Sequence, residues 1–237
     1  MRSALLLAGF VLFTGCLTIE ENYTFKKDGS GTMEYVVDLS ELGEMMASFE
    51  GMGEEDGKKA EKDGKDDGMG DMDMSAQMEA LKALPGISKV KLNKKKEWVQ
   101  RLSFSFKDVT ALNRALNELM PDSTGVPHEF FRWDGNTLVR TNNRHAYEIG
   151  AGMAKGDTEG AGEEGSEGLE GLDMGTMLEA MKYKYSFKFA EAIASTGAAE
   201  GVVKESASAK EVALNTDFSV ISRDVNALDL RIALDRK

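Results

Sequence analysis

The chain has 237 residues, 41% of them hydrophobic, with one cysteine, two histidines, three prolines and a formal charge of -12. A single cysteine excludes an internal disulfide framework and any multi-cysteine zinc or iron–sulfur centre. The acidic balance argues against nucleic acid as a partner, because phosphates are met by clustered Lys and Arg.

Met1 to Cys16 reads MRSALLLAGFVLFTGC. Arg2 precedes an uncharged run from Ala4 to Phe13, about half of the ~20 residues that a membrane-spanning helix needs. This is the plan of a signal peptide, residues 1–15, ahead of one domain over 16–237. Cys16, the only cysteine, stands directly after the apolar run. The segment resembles the lipobox of bacterial lipoproteins, in which signal peptidase II cuts before a cysteine carrying diacylglycerol. Thr14 and Gly15 suit that pattern, whereas Phe13 stands where Leu, Val or Ile is usual. Cys16 is therefore the expected lipidation site and the membrane the expected partner. Leu17 after the cysteine, where Asp would signal inner-membrane retention, points to the outer membrane. Glu20 and Glu21, close to the anchor, bear on whether the domain faces the periplasm or the cell surface.

The charge is concentrated in two stretches. Glu50 to Met74 holds ten acids, four lysines and six glycines, and Ala151 to Asp173 holds seven acids, one lysine and seven glycines. Each carries -6, so the remainder of the chain is neutral. Such composition cannot repay the entropy of ordering, so both stretches are expected to be disordered inserts. Both lead into similar segments, Asp73 to Lys82 and Asp173 to Lys182, identical at five of ten positions. The echo fits either a duplication or two alike helix starts.

Elsewhere the pattern alternates. Leu17, Ile19, Tyr23 and Phe25 share one parity, a turn follows at Lys27 to Gly31, and Met33, Tyr35, Val37 and Leu39 resume it: a β-hairpin. Asp38 and Ser40 suit the cap of a helix bearing Leu42, Met45, Met46 and Phe49. A helix from about Ser75 stops at Pro85-Gly86. Ile87 to Leu92 and Trp98 to Phe106 read as paired strands, with Trp98, Leu102, Phe104 and Phe106 on one face and Val99, Arg101, Ser103 and Ser105 on the other. Asp108 opens a helix with Val109, Leu112, Leu116 and Leu119 in a stripe. His128 to Trp133 and Thr137 to Thr141 flank the Asp134-Gly135-Asn136 turn. After a short helix come Tyr183, Tyr185, Phe187 and Phe189, and Leu228, Leu230, Ile232 and Leu234 close the chain. Hairpins mixed with helices, without βαβ alternation, predict an α+β fold with mainly antiparallel sheet.

The order of cysteine, strand, Asp28-Gly29-Ser30-Gly31 turn, strand and Asp38-Leu39-Ser40 resembles uncharacterised bacterial lipoproteins of Bacteroidetes type. More distantly it is similar to LppM-type lipoprotein domains. The likeness covers Cys16 to about Phe49, with the general plan beyond. It implies no catalytic residues, and it implies lipid or envelope-glycolipid binding as a function to consider.

Several motifs fail on context. Gly160 to Gly165 fits G-x-G-x-x-G, but within an acidic insert that would repel phosphate. Asp63 to Asp73 matches the EF-hand pattern only at Asp67 and Gly68. Ser88-x-x-Lys91 lies in a predicted strand without the companions of a penicillin-binding site. His128 and His145, with Asp134 and Asp38 as orienters, have no nucleophile at a fixed spacing. Lys94 to Lys96 read as a solvated hairpin tip, or as a contact for anionic head groups. The expected function is a non-enzymatic binding or structural envelope module, with a lipid or envelope protein as partner and no cofactor or metal. The competing reading is a hydrolase acting on envelope lipid or cell-wall polymer. The aromatic stripes are either core or an acyl-chain groove.

Overall fold

The computed structural model describes residues 17–41, 43, 44, 74–96, 98–155 and 173–235. Cys16, the signal segment and the methionines expected on the first helix, Met45 and Met46, lie outside them.

The first hairpin forms as its alternation dictates. β1 (Thr18–Phe25) pairs antiparallel with β2 (Gly31–Asp38), with Tyr23 opposite Met33. The turn closes through Lys26 N to Ser30 O at 2.8 Å, and Gly29 takes φ +81°, a conformation that L side chains resist. Gly31 is glycine for a different reason. A Cβ there would lie 2.0 Å from the Thr24 carbonyl oxygen and 2.4 Å from the Phe106 ring. We expect Gly31→Ala to lower stability in urea titrations by about 2 kcal/mol through overpacking, and Gly29→Ala, which meets open space, by roughly 1 kcal/mol. A loss at Gly31 no larger than that at Gly29 would show that the neighbouring strand and ring move aside to admit the Cβ.

After β2 the chain turns helical at Ser40, whose N–H and hydroxyl both donate to the Asp38 carboxylate. Helix α1 (Ser75–Ala83) then leads to β3 (Ile87–Lys96) and β4 (Val99–Phe106). The second strand starts one residue later than predicted, because Trp98 occupies the turn at φ +63°. Its carbonyl accepts from Leu39 N at 2.8 Å, and its indole lies against Gly43. The chain after β2 thus folds over this corner, which explains why Val36 and Val99 are buried on the otherwise polar face.

Asp108 caps α2 (Val109–Leu119) by accepting from Ala111 N, and Ala111, Leu112, Ala115 and Leu116 are its buried stripe. On the same helix, Asn113 and Asn117 act as a substitute strand edge. Asn113 accepts from Phe131 N and donates to Phe131 O, each at 2.8 Å, while Asn117 does the same for His128 at 2.7 and 2.9 Å. These bonds seat the segment that becomes β5 (Phe131–Asp134), which turns at Gly135 into β6 (Thr137–Arg140).

Helix α3 (Arg144–Lys155) and helix α4 (Met174–Ala180) bracket the second expected insert, and both intrude on it. Residues 151–155 belong to α3, Asp173 caps α4 through Gly175 N and Thr176 N, and Met74 at the end of the first insert is buried core. What remains of the inserts lies outside the described residues. Then follow β7 (Lys182–Phe189), β8 (Ile193–Ala198), β9 (Val203–Ser208), β10 (Glu211–Asp217), the single turn α5 (Phe218–Ile221) and β11 (Leu230–Leu234).

The strands form two sheets, ordered β3-β4-β2-β1-β7-β10-β9 and β5-β6-β11-β8. All pairs are antiparallel except β1 with β7, so the α+β expectation holds. The sheets pack face to face through their aromatic residues. Tyr23 meets Phe131 at 5.0 Å between ring centroids, Phe25 meets Trp133 at 6.0 Å, and Phe187 meets Phe131 at 6.1 Å. Tyr183, Tyr185, Phe187 and Phe189 are at most 3% exposed, as are Leu102, Phe104 and Phe106. The aromatic stripes are therefore core, and no acyl-chain groove opens between the sheets there.

Candidate functional site

One inward position on β1 breaks the apolar rule. Glu21 lies between Ile19 and Tyr23, opposite Tyr35 on β2 and Tyr185 on β7, and is 0% exposed. Sequence reasoning placed it beside the anchor. The period of a strand instead turns it into the core, where a carboxylate must be paired.

Its partner comes from the facing sheet, 119 residues away in sequence. Arg140, the last residue of β6 and 1% exposed, donates Nη1 to Glu21 Oε2 at 2.6 Å and Nη2 to Glu21 Oε1 at 2.9 Å. The hydroxyls of Tyr23 and Tyr183 also donate to this carboxylate. The guanidinium stands 5.1 Å from the Tyr185 ring centroid and 5.7 Å from that of Phe131. Its Nε donates to Asn143 Oδ1 at 2.7 Å, and Asn143 Nδ2 reaches Asp229 at 3.1 Å. His145, on α3, completes the group with Nε2 at 3.3 Å from the Tyr183 hydroxyl.

The electrostatics follow from burial and pairing. Burial pushes the Glu21 carboxyl up, but the charge and hydrogen bonds of Arg140 outweigh it and hold the group below the usual range. Burial and then the Glu21 charge raise Tyr23, Tyr35 and Tyr183, so these phenols stay protonated. Burial lowers His145 to about 4, leaving it neutral. Asp229 is raised, by burial first. The Glu21 carboxylate is committed to four donors. A general base must reach a substrate proton within hydrogen-bond distance, and a carboxylate enclosed in this way has no such approach. The cluster is a charge lock between two sheets.

The other residues singled out in the sequence are dispersed. His128 Nε2 is 2.6 Å from Asp122, and Asp134 accepts from Arg231 at 3.1 Å. Asp38 is engaged by Ser40. Glu20 pairs with Lys184 at 3.6 Å on the outer face of the large sheet. Ser88 and Lys91 lie on β3, and Lys94 reaches Ser75 at 3.3 Å, its strand ending at Lys96. Cys16, Asp63 to Asp73 and Gly160 to Gly165 fall outside the described residues. Among the described residues no group of three or more His, Cys, Asp and Glu has the geometry of a metal site. A shallow cleft of about 370 Å³ on the outer face of the small sheet, lined by Arg132, Val139, Asp229 and Arg231, touches the lock through Arg140.

Fold and site together define an α+β domain of two face-packed sheets joined by a buried carboxylate–guanidinium pair. No family model matches the chain, and no curated protein matches it. Among solved structures the chain is similar to the NMR structure of the folded domain of the Mycobacterium tuberculosis LppM protein. The two share 14% identity and a TM-score of 0.43, over 99% of this chain and 96% of that one. A likeness at this level bears on neither ligand nor activity.

Proposed function

We propose that the chain is a lipid-anchored module of the bacterial envelope with a binding or structural role, held at Cys16 in the outer membrane. The observation that supports this reading is how soon the fold begins. Leu17 is 5% exposed, and its carbonyl accepts from Lys182 N at 2.8 Å. The residue after the cysteine is thus already packed into the fold directly before a central strand, and an acylated Cys16 would join the domain to the bilayer without a tether. Two or more acyl chains suffice for stable anchoring at ~0.8 kcal/mol per buried methylene. Among the described residues no helix is long and apolar enough to cross a membrane.

The non-enzymatic reading draws on the same interior. Its carboxylate is fully committed to structural donors, and its imidazole is neutral and enclosed. Mass spectrometry of the protein recovered from its own membranes tests the anchor. The expected N-terminus is Cys16 carrying a diacylglyceryl group and an amide-linked acyl chain. Cys16→Ala should release the protein from the membrane fraction. An unmodified Cys16 in mature protein overturns the reading.

A further inference from the structure

The outward face of the large sheet is polar, and its charges balance almost completely. Glu34 pairs with Arg101 at 3.1 Å, Glu20 with Lys184 at 3.6 Å, Asp217 with Lys182 at 3.9 Å, and Glu211 with Lys188. Cations along β3 are left over on this side. Lys89 and Lys91 are exposed and have no carboxylate partner among the described residues.

Both reach this side through a bulge in β3. Its pairing with β4 runs Ile87 to Phe106 and Ser88 to Ser105, then Lys91 to Ser103. Ile87 and Leu92 both pair with inward residues, yet they stand an odd number of positions apart, so one residue must be inserted between them. Lys89 lies in this insertion at φ +54°. The insertion sets Lys91, rather than Val90, beside Ser103 on the outward face.

The two lysines rim a groove of about 300 Å³ whose remaining wall is hydroxyl-rich. Thr24, Thr32 and Ser105 are directly opposed across three strands, with Asn22, Glu34 and Ser103 in the next row. The hydroxyls of Thr24, Thr32, Ser103 and Ser105 are not engaged by other side chains of the described residues, and the one carboxylate, Glu34, is held by Arg101. Two uncompensated ammonium groups beside four free hydroxyls form a donor set that matches an oxyanion.

We propose that this groove binds the phosphate of a water-soluble phosphate ester, with Lys89 and Lys91 meeting the charge and the Ser and Thr hydroxyls the ester oxygens. The choice of a soluble source over a lipid head group rests on the anchor reading. Thr24 lies six residues along β1 from Thr18, roughly 20 Å from the anchored end of the strand.

Equilibrium dialysis of the full chain against labelled glycerol 3-phosphate, at fixed ionic strength, tests the site. We expect saturable binding that falls about tenfold or more in Lys89→Ala/Lys91→Ala, the scale of hydrogen bonds to charged groups. Ser103→Ala/Ser105→Ala should also weaken binding, although it leaves the charge unchanged. Lys96→Ala/Lys107→Ala removes the same charge elsewhere and should leave binding intact. Equal loss in both lysine pairs would mean an adventitious ion only and would overturn the site, as would unsaturable binding. Full displacement by phosphatidylglycerol vesicles at equal phosphate would overturn the soluble source. Saturable binding together with an unmodified Cys16 in the mature protein would support the groove while removing the anchor.

Discussion

Arg140→Met should destabilise the protein by about 3–5 kcal/mol, because it leaves the Glu21 carboxylate buried without its counter-charge. Glu21→Met should have a similar effect by stranding the guanidinium between Phe131 and Tyr185. The double variant Glu21→Met/Arg140→Met should lose much less than the sum. Removing both charges together also removes the desolvation that their attraction offsets, and two thioether side chains fill comparable space. Urea unfolding of the four proteins at neutral pH gives the coupling directly. Strictly additive losses would mean that the pair contributes packing alone. The effect should be large for a geometric reason as well. The lock joins the middle strand of the large sheet to the small sheet, and Glu21 is also the acceptor for Tyr23 and Tyr183. Loss of the ion pair therefore also disturbs two hydrogen bonds contributed by neighbouring strands of the large sheet.

Much of this fold is written in local pattern. The alternation at Leu17, Ile19, Tyr23 and Phe25, the glycine turns and the Asp108 cap each select one backbone conformation without outside help. The same alternation carried the signal for the lock. Position 21 has inward parity, and a carboxylate among Ile19, Tyr23 and Phe25 requires a buried cation. What the sequence could not supply is which cation, since Arg140 ends a strand in the other sheet and no local spacing ties the two together. The β8 and β9 segments carry no such pattern for another reason. IASTGA and VKESAS are short of large apolar residues and are largely exposed, so they carry little alternation. Helix α3 was missed because Gly150 and Gly152 lower its apparent propensity and its end merges with an acidic, glycine-rich run. The bulge at Lys89 follows from the odd spacing of Ile87 and Leu92, but only once the register with β4 is known.

Stability should fall as pH is lowered from about 6.5 towards 4, and His145 should be responsible. Folded, this imidazole is buried between Phe130 and Tyr183 and lowered to about 4, chiefly by desolvation, with Arg140 opposing its protonation and the Glu21, Asp122 and Glu148 charges favouring it. Unfolded, it titrates near its ordinary value of 6.5. Between these values the unfolded chain binds a proton that the folded chain refuses, so each step down in pH favours unfolding. The full interval amounts to roughly 3 kcal/mol. Glu21 acts in a different window. Its folded carboxyl is depressed, so its contribution is present above the ordinary carboxylate range and is lost only as pH falls through the lower folded value. Asp229, raised by burial, works in the opposite sense and gains a little stability on acidification. His145 is thus the main source of the loss between pH 6.5 and 4.5, with Asp229 working against it. His145→Gln should flatten the slope whatever the variant's absolute stability. An unchanged slope in His145→Gln, measured by urea unfolding across that range, would mean that His145 takes up its proton in the folded state without opening the core.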